Sequence, residues 1–142
     1  GINIMKQRVV QTPKNLKIAN QAIPLENLIN PGDRVCQLKK RINWSFLDTQ
    51  LGYLFESEHA PSSRLIFGLL YLQSIDDLPY SDVISIWVKS PEWQYFCGEE
   101  FLNDSFPLHD ASLSIWSRVV GTQGREFMTR ALGVVKHEGA LH

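Results

Sequence analysis

The side chains that most often carry chemistry are sparse in this sequence and poorly spaced for it. His59, His109, His137 and His142 stand at no H-x-x-x-H interval, and neither Cys36 nor Cys97 falls at a ligand spacing from any of them. A zinc site needs three or four such ligands converging, so no metal-binding residue is expected. Asp76–Asp77 and Glu99–Glu100 are adjacent carboxylates, a residue type that binds divalent cations. Neighbours on a helix point about 100° apart, so these pairs read as helix-end or loop charge. No G-x-S-x-G elbow and no glycine-rich phosphate loop occurs, and His109 beside Asp110 reads as a loop residue at a helix cap. No catalytic residue and no cofactor are expected in this chain.

What remains is positive charge, and it is unevenly placed. The formal net charge is −1, yet residues 1–41 hold eight basic side chains (Lys6, Arg8, Lys14, Lys17, Arg34, Lys39, Lys40, Arg41) against Glu26 and Asp33. The remainder holds six basic and thirteen acidic side chains. Such asymmetry describes a basic arm, residues 1–24, on an acidic body. The arm reads either as a phosphate-binding element or as a solvated tail.

These groups need a scaffold, and the composition supplies one. With 142 residues, 44% of them hydrophobic and 20% charged, the chain suits one folded domain and not a disordered one. No run of about 18 apolar residues offers a membrane span, and no signal peptide opens the sequence. Two cysteines without a secretory signal read as reduced cytosolic thiols, and hence a cytoplasmic protein.

The periodicity is helical throughout. Asp33 is an N-cap for a short helix to about Arg41, which places Lys39, Lys40 and Arg41 where the helix dipole favours cations. Asn43 caps a helix over 44–56, and Pro61 suits the first turn of the next. That third helix, SSRLIFGLLYLQSI, is apolar on nearly every side and belongs at the centre of a domain. Ser81 is expected to cap a fourth helix through Lys89, with Val83, Ile84, Trp87 and Val88 inward. Ser90 and Pro91 start a fifth that Gly98 ends. Asp110 caps a sixth, closed by Gly121, and Thr122 opens a seventh to about Lys136. No segment alternates with period two. The expected fold class is all-α, a compact bundle of about six to seven helices over 25–138, with a helix-turn-helix-like part and the loose basic arm.

Trp87, Trp93, Tyr95, Phe96, Phe101 and Phe106 form an aromatic set that either stacks on bases or packs in a core. Residues 77–110 carry seven acidic side chains and only Lys89 as a base, which favours core packing. Cys97, between Phe96 and Gly98, reads as a small buried hydrophobe.

The same stretch carries a long string of unusual residues: Gly68–Leu72, Ser81–Asp82, Trp87, Pro91, Trp93–Gly98, Phe106–Pro107, Asp110, Ser112–Leu113, Arg118 and Gly121–Gly124. With Ile42–Trp44 and Arg64, this pattern resembles the N-terminal helical domain of bacterial insertion-sequence transposases of the InsH type, over about residues 25–132. The resemblance implies a larger parent enzyme that cuts and joins DNA. Its second domain, of ribonuclease-H type, holds metal ions on three acidic residues. That catalytic domain, and the Mg²⁺ it would need, is expected to be absent from this chain. The helical domain is expected to bind double-stranded DNA at the element's ends and to make subunit contacts, including a possible homodimer.

On a helical wheel the sixth helix places Leu113, Ile115, Trp116, Val119 and Val120 on one face and Ser114, Ser117 and Arg118 opposite. A small polar face with one Arg suits a major groove. The family carries more basic residues in this helix, where this chain has Ile115 and Val119. The expected DNA contacts are therefore Lys39, Lys40, Arg41, Arg64, Ser114, Ser117, Arg118 and Arg125. The alternative is a protein-interaction or dimerisation module, with the acidic 77–110 stretch meeting the basic arm of a second copy, or a truncated transposase remnant without DNA binding of its own.

Overall fold

Side-chain caps set most of the helix starts. In the computed structural model, which describes residues 22–140 and side chains up to residue 132, Asp33 accepts from the Val35 amide and opens α1, Arg34–Lys39. Asn43 accepts from the Phe46 amide at 3.1 Å and opens α2, Trp44–Leu51. The expected helix over 44–56 does not run through: at Gly52, a weak helix former, it tightens into a 3₁₀ turn, Gly52–Phe55. The arm itself, with Lys6, Arg8, Lys14 and Lys17, lies outside the described residues except for its last three positions.

Ser62, and not Pro61, opens α3, Ser63–Asp76: its hydroxyl accepts from the Leu65 amide, and Pro61 stands one place ahead of the cap. Eight successive residues, Leu65 to Leu72, are buried, so α3 is the central helix that its apolar circumference demands. It ends on Asp77 in the left-handed conformation, with the Leu78 amide donating back to the Gln73 carbonyl.

Pro79 replaces Ser81 as the start of α4, Tyr80–Lys89; its extended backbone leads into the helix without any side-chain cap. Val83 and Trp87 are fully buried on α4, with Ile84 and Val88 half-buried beside them. Ser90 caps α5, Pro91–Phe96, with Pro91 in its first turn and Gly98 just past its end at φ 90°. The last element, α6, Ser112–Ala140, is two helical pieces broken at Gly121, whose φ of 68° and ψ of −174° are not helical. Asp110 is not its cap. The helix begins two residues later, and the His109 ring accepts from the Ala111 amide instead.

Among the described residues the only β pairing is an isolated bridge between Pro24 and Phe101, so the fold is all-α. That bridge lays residues 23–25 against 100–102 and buries Leu25 completely. α6 beds on α2 and α3, while α5 packs on α1 and α4. The segment between α5 and α6 spans residues 97–111, longer than the turn of a helix-turn-helix pair.

The aromatic set is chiefly core. Trp87, Trp93 and Phe96 are buried, and Phe106 meets Trp87 edge-on at 5.5 Å. Phe101 departs from that expectation: it is 41% exposed, because the bridge to Pro24 holds it at the rim. Gln94, wholly buried, is the polar hub beneath this layer. Its amide donates to the Trp87 and Asn103 carbonyls, and its carbonyl accepts from the Asn103 amide at 2.8 Å. Cys97 is buried as expected and presses on Gly68 of α3, where a Cβ would come within 2.6 Å of its sulfur.

Candidate nucleic-acid interface

The eight residues expected to touch DNA fall into three separate places. The first is the turn that ends α5. Lys39, in the last turn of α1, reaches across to it. Its Nζ donates to the Tyr95 carbonyl at 2.9 Å and lies 3.6 Å from the centre of the Tyr95 ring. Arg64, in the first turn of α3, lays its guanidinium 4.0 Å over the Trp44 ring, and its stem runs against Gly98. Trp44 joins the two: its indole N–H donates to the Lys39 carbonyl. Both cations are half-buried. Burial first, and then the neighbouring Arg64, pull the Lys39 pKa below its usual value. Burial also lowers that of Arg64, against a weaker pull upward from Asp48. Lys40, the next residue along, is exposed.

The second place surrounds the C-terminal half of α3. Arg41 is exposed and lines a groove of about 470 Å³ with Arg34, Leu72 and Ile75. Arg34 crosses its rim to Asp76 at 2.6 Å. On the other side of Ile75, Arg125 donates to the Ser74 and Ser117 hydroxyls, each at 3.0 Å. Cations at this helix end face the negative end of the dipole, so they are also at home there without any ligand.

The third is the outward face of α6. Here the expected wheel is turned. Leu113 and Val120 are buried, and Trp116 stacks on Phe55 at 4.6 Å. Ser117, expected to face outward, is half-buried and accepts from the Tyr80 hydroxyl as well as from Arg125. Ile115 and Val119, expected inward, are 46% and 45% exposed on either side of exposed Arg118. The apolar arc is wider than the seam that α2 and α3 offer, so only its Leu113–Trp116–Val120 edge is covered. Ser114 is half-buried at the margin of this face, its hydroxyl turned back to the Ala111 carbonyl.

The structure thus brings Lys39 and Arg64 to Trp44, joins Ser117 to Arg125, and leaves Lys40, Arg41 and Arg118 exposed and without an ion pair among the described residues. Trp44 and Tyr95, the aromatic platforms of the first place, were missed as site residues by sequence reasoning. Their cationic partners lie 20 and 56 positions away, beyond any local pattern. Among the described residues no group of three His, Cys, Asp or Glu side chains converges as metal ligands. No described helix is long and apolar enough to cross a membrane.

A family model described as "Transposase domain (DUF772)" matches residues 23–118, which takes in α1 to α5 and the first turns of α6. A Rhizobium meliloti protein described as "Uncharacterized protein ORF8 in nfe locus" is 33% identical over 109 residues, covering 75% of this chain and 53% of that protein. The chain therefore spans about half the length of this curated relative. No solved structure matches the chain.

Proposed function

The chain belongs to the Transposase domain (DUF772) family, and from that membership we propose that it is the DNA-binding and assembly domain of a bacterial insertion-sequence transposase. In this reading it recognises the element's ends as double-stranded DNA in the cytoplasm and performs no strand chemistry itself. Cutting and joining, with the Mg²⁺ they require, belong to a ribonuclease-H-like domain of the parent protein. The family match carries the reading. Support comes from surface cations without carboxylate partners: Lys40, Arg41 and Arg118 are exposed and form no ion pair among the described residues. Phosphate contacts of this kind position a protein on duplex DNA, and base contacts then read it.

The test is a fluorescence-anisotropy titration of the full chain against an element-end duplex and a random duplex over a salt series. Binding that weakens linearly with the logarithm of salt, and is tighter on the element end, is the expected result. Absence of binding to either duplex at about 50 mM salt, where phosphate contacts are strong, would overturn it.

One observation favours the alternative, an assembly module without DNA binding of its own. Ile115 and Val119 leave an apolar strip on α6 where a DNA-reading helix would be polar. Sedimentation separates the two, since a stable dimer unchanged by duplex DNA supports the module.

A further inference from the structure

We propose that the Tyr95–Gly98 turn, flanked by Lys39 and Arg64, is a seat for a single phosphate group of the DNA backbone, held by both cations at once. This inference rests on the DNA-binding reading above and narrows it to one place.

Lys39 spends one of its three N–H donors on the Tyr95 carbonyl, which leaves two. The Arg64 guanidinium lies 4.0 Å over the centre of the Trp44 ring, and its side chain makes no hydrogen bond or ion pair among the described residues. A guanidinium holds its N–H groups in its own plane, and an edge of that plane matches two phosphate oxygens. Trp44 brings the two cations together, its ring under the Arg64 guanidinium and its N–H on the Lys39 carbonyl, and Lys39 feels the Arg64 charge, a repulsion that a shared anion would relieve.

The surrounding acids do not fill this role. Asp48 is felt by Arg64 but lies beyond ion-pair distance, and Glu99 is engaged with the Asn103 amide at 3.0 Å. The platforms fix the cations before any ligand arrives. Tyr95 and Trp44 lie beneath the charged heads, Trp44 is itself anchored to the Lys39 carbonyl, and the backbone at Gly98 has no Cβ to push the Arg64 stem away. Little side-chain freedom is then lost on binding.

A shared seat has a signature that two independent phosphate sites lack. Each phosphate neutralised contributes about 0.9 to the slope of log affinity against log salt on duplex DNA. Lys39→Gln, Arg64→Gln and the double variant are titrated with a duplex at several salt concentrations, with thermal melts to verify folding. One seat predicts that the slope of the double variant falls by about 0.9 in all, where two separate phosphates would make it fall by about 1.8. Unchanged slopes, or the larger fall, overturn the seat while leaving the DNA-binding reading intact. A wild-type chain that binds no duplex overturns both.

Should either variant fail to fold, wild-type protein suffices. The Trp44 indole N–H resonance, assigned and followed by NMR, is expected to shift on adding duplex. A resonance that stays fixed while duplex is bound overturns the seat. A shift with inorganic phosphate but none with duplex marks a free-anion site and overturns DNA as the occupant.

Discussion

Cys97 shows how one residue answers to several elements. It closes α5, packs its backbone and sulfur against Gly68 of α3, and lies near the Trp87 indole, whose buried N–H has no hydrogen-bond partner among the described residues. Burial pushes its thiol pKa far up; Cys36 and Tyr71 are raised too, in each case chiefly by burial. The folded chain therefore keeps protons that the unfolded chain releases above about pH 8.5, the ordinary thiol range. Where the unfolded state binds fewer protons, stability falls as pH rises. Urea melts between about pH 8 and 9.5 are expected to show this decline, with full stability below that window. Cys97→Ala is expected to flatten it, whatever its effect on the absolute level; a slope equal to wild type would mean that Cys97 titrates normally. That Cys97 is a buried hydrophobe was legible from its place between Phe96 and Gly98. The Gln94 hub was not, since its partners are backbone groups brought together only by the fold.

At the level of elements, the sequence is readable where a side chain makes the signal. Asp33, Asn43 and Ser90 cap the helices that their spacing predicts. It misleads where the backbone does the work. Pro79 leads into α4 by conformation alone, and a histidine ring serves the start of α6 in place of Asp110. The facing of α6 was hidden for another reason: its apolar and small residues compete for a seam whose position depends on α2 and α3. Gly121 was legible as the break between two helices, and its φ of 68° with ψ of −174° is a region that only glycine enters easily. A Cβ there would meet open space, so Gly121→Ala isolates backbone strain from packing. The expected cost is about 1–3 kcal/mol by denaturant unfolding. A cost under about 0.5 kcal/mol, the level of a neutral surface change, would show that the helix straightens through residue 121 without penalty.

Across the whole molecule, charge and structure disagree about where a nucleic acid would lie. Six of the fourteen basic residues come after residue 41, and residues 77–110 are strongly acidic. The sequence grouped Lys39, Lys40 and Arg41 as one basic cluster. The fold divides them: Lys39 is bound over Tyr95, Lys40 is exposed, and Arg41 lines the groove beside α3. Arg118 stands apart on α6 between two apolar side chains. If the chain grips phosphates through the exposed pair, Lys40→Ala with Arg41→Ala should weaken binding to every duplex alike, and the salt slope should fall by about 0.9 for each phosphate no longer neutralised. Neither side chain is packed in the core, so the melting temperature should hardly move. Arg118→Ala should behave differently. A residue that reaches a base edge contributes about 1–3 kcal/mol of discrimination, so its removal should narrow the gap between element-end and random duplexes while the salt slope stays nearly constant. Competition binding at fixed salt measures that gap directly. An unchanged gap with an unchanged slope would remove Arg118 from the interface, and its α6 strip, with Ile115 and Val119, would then be the surface to test for subunit contacts.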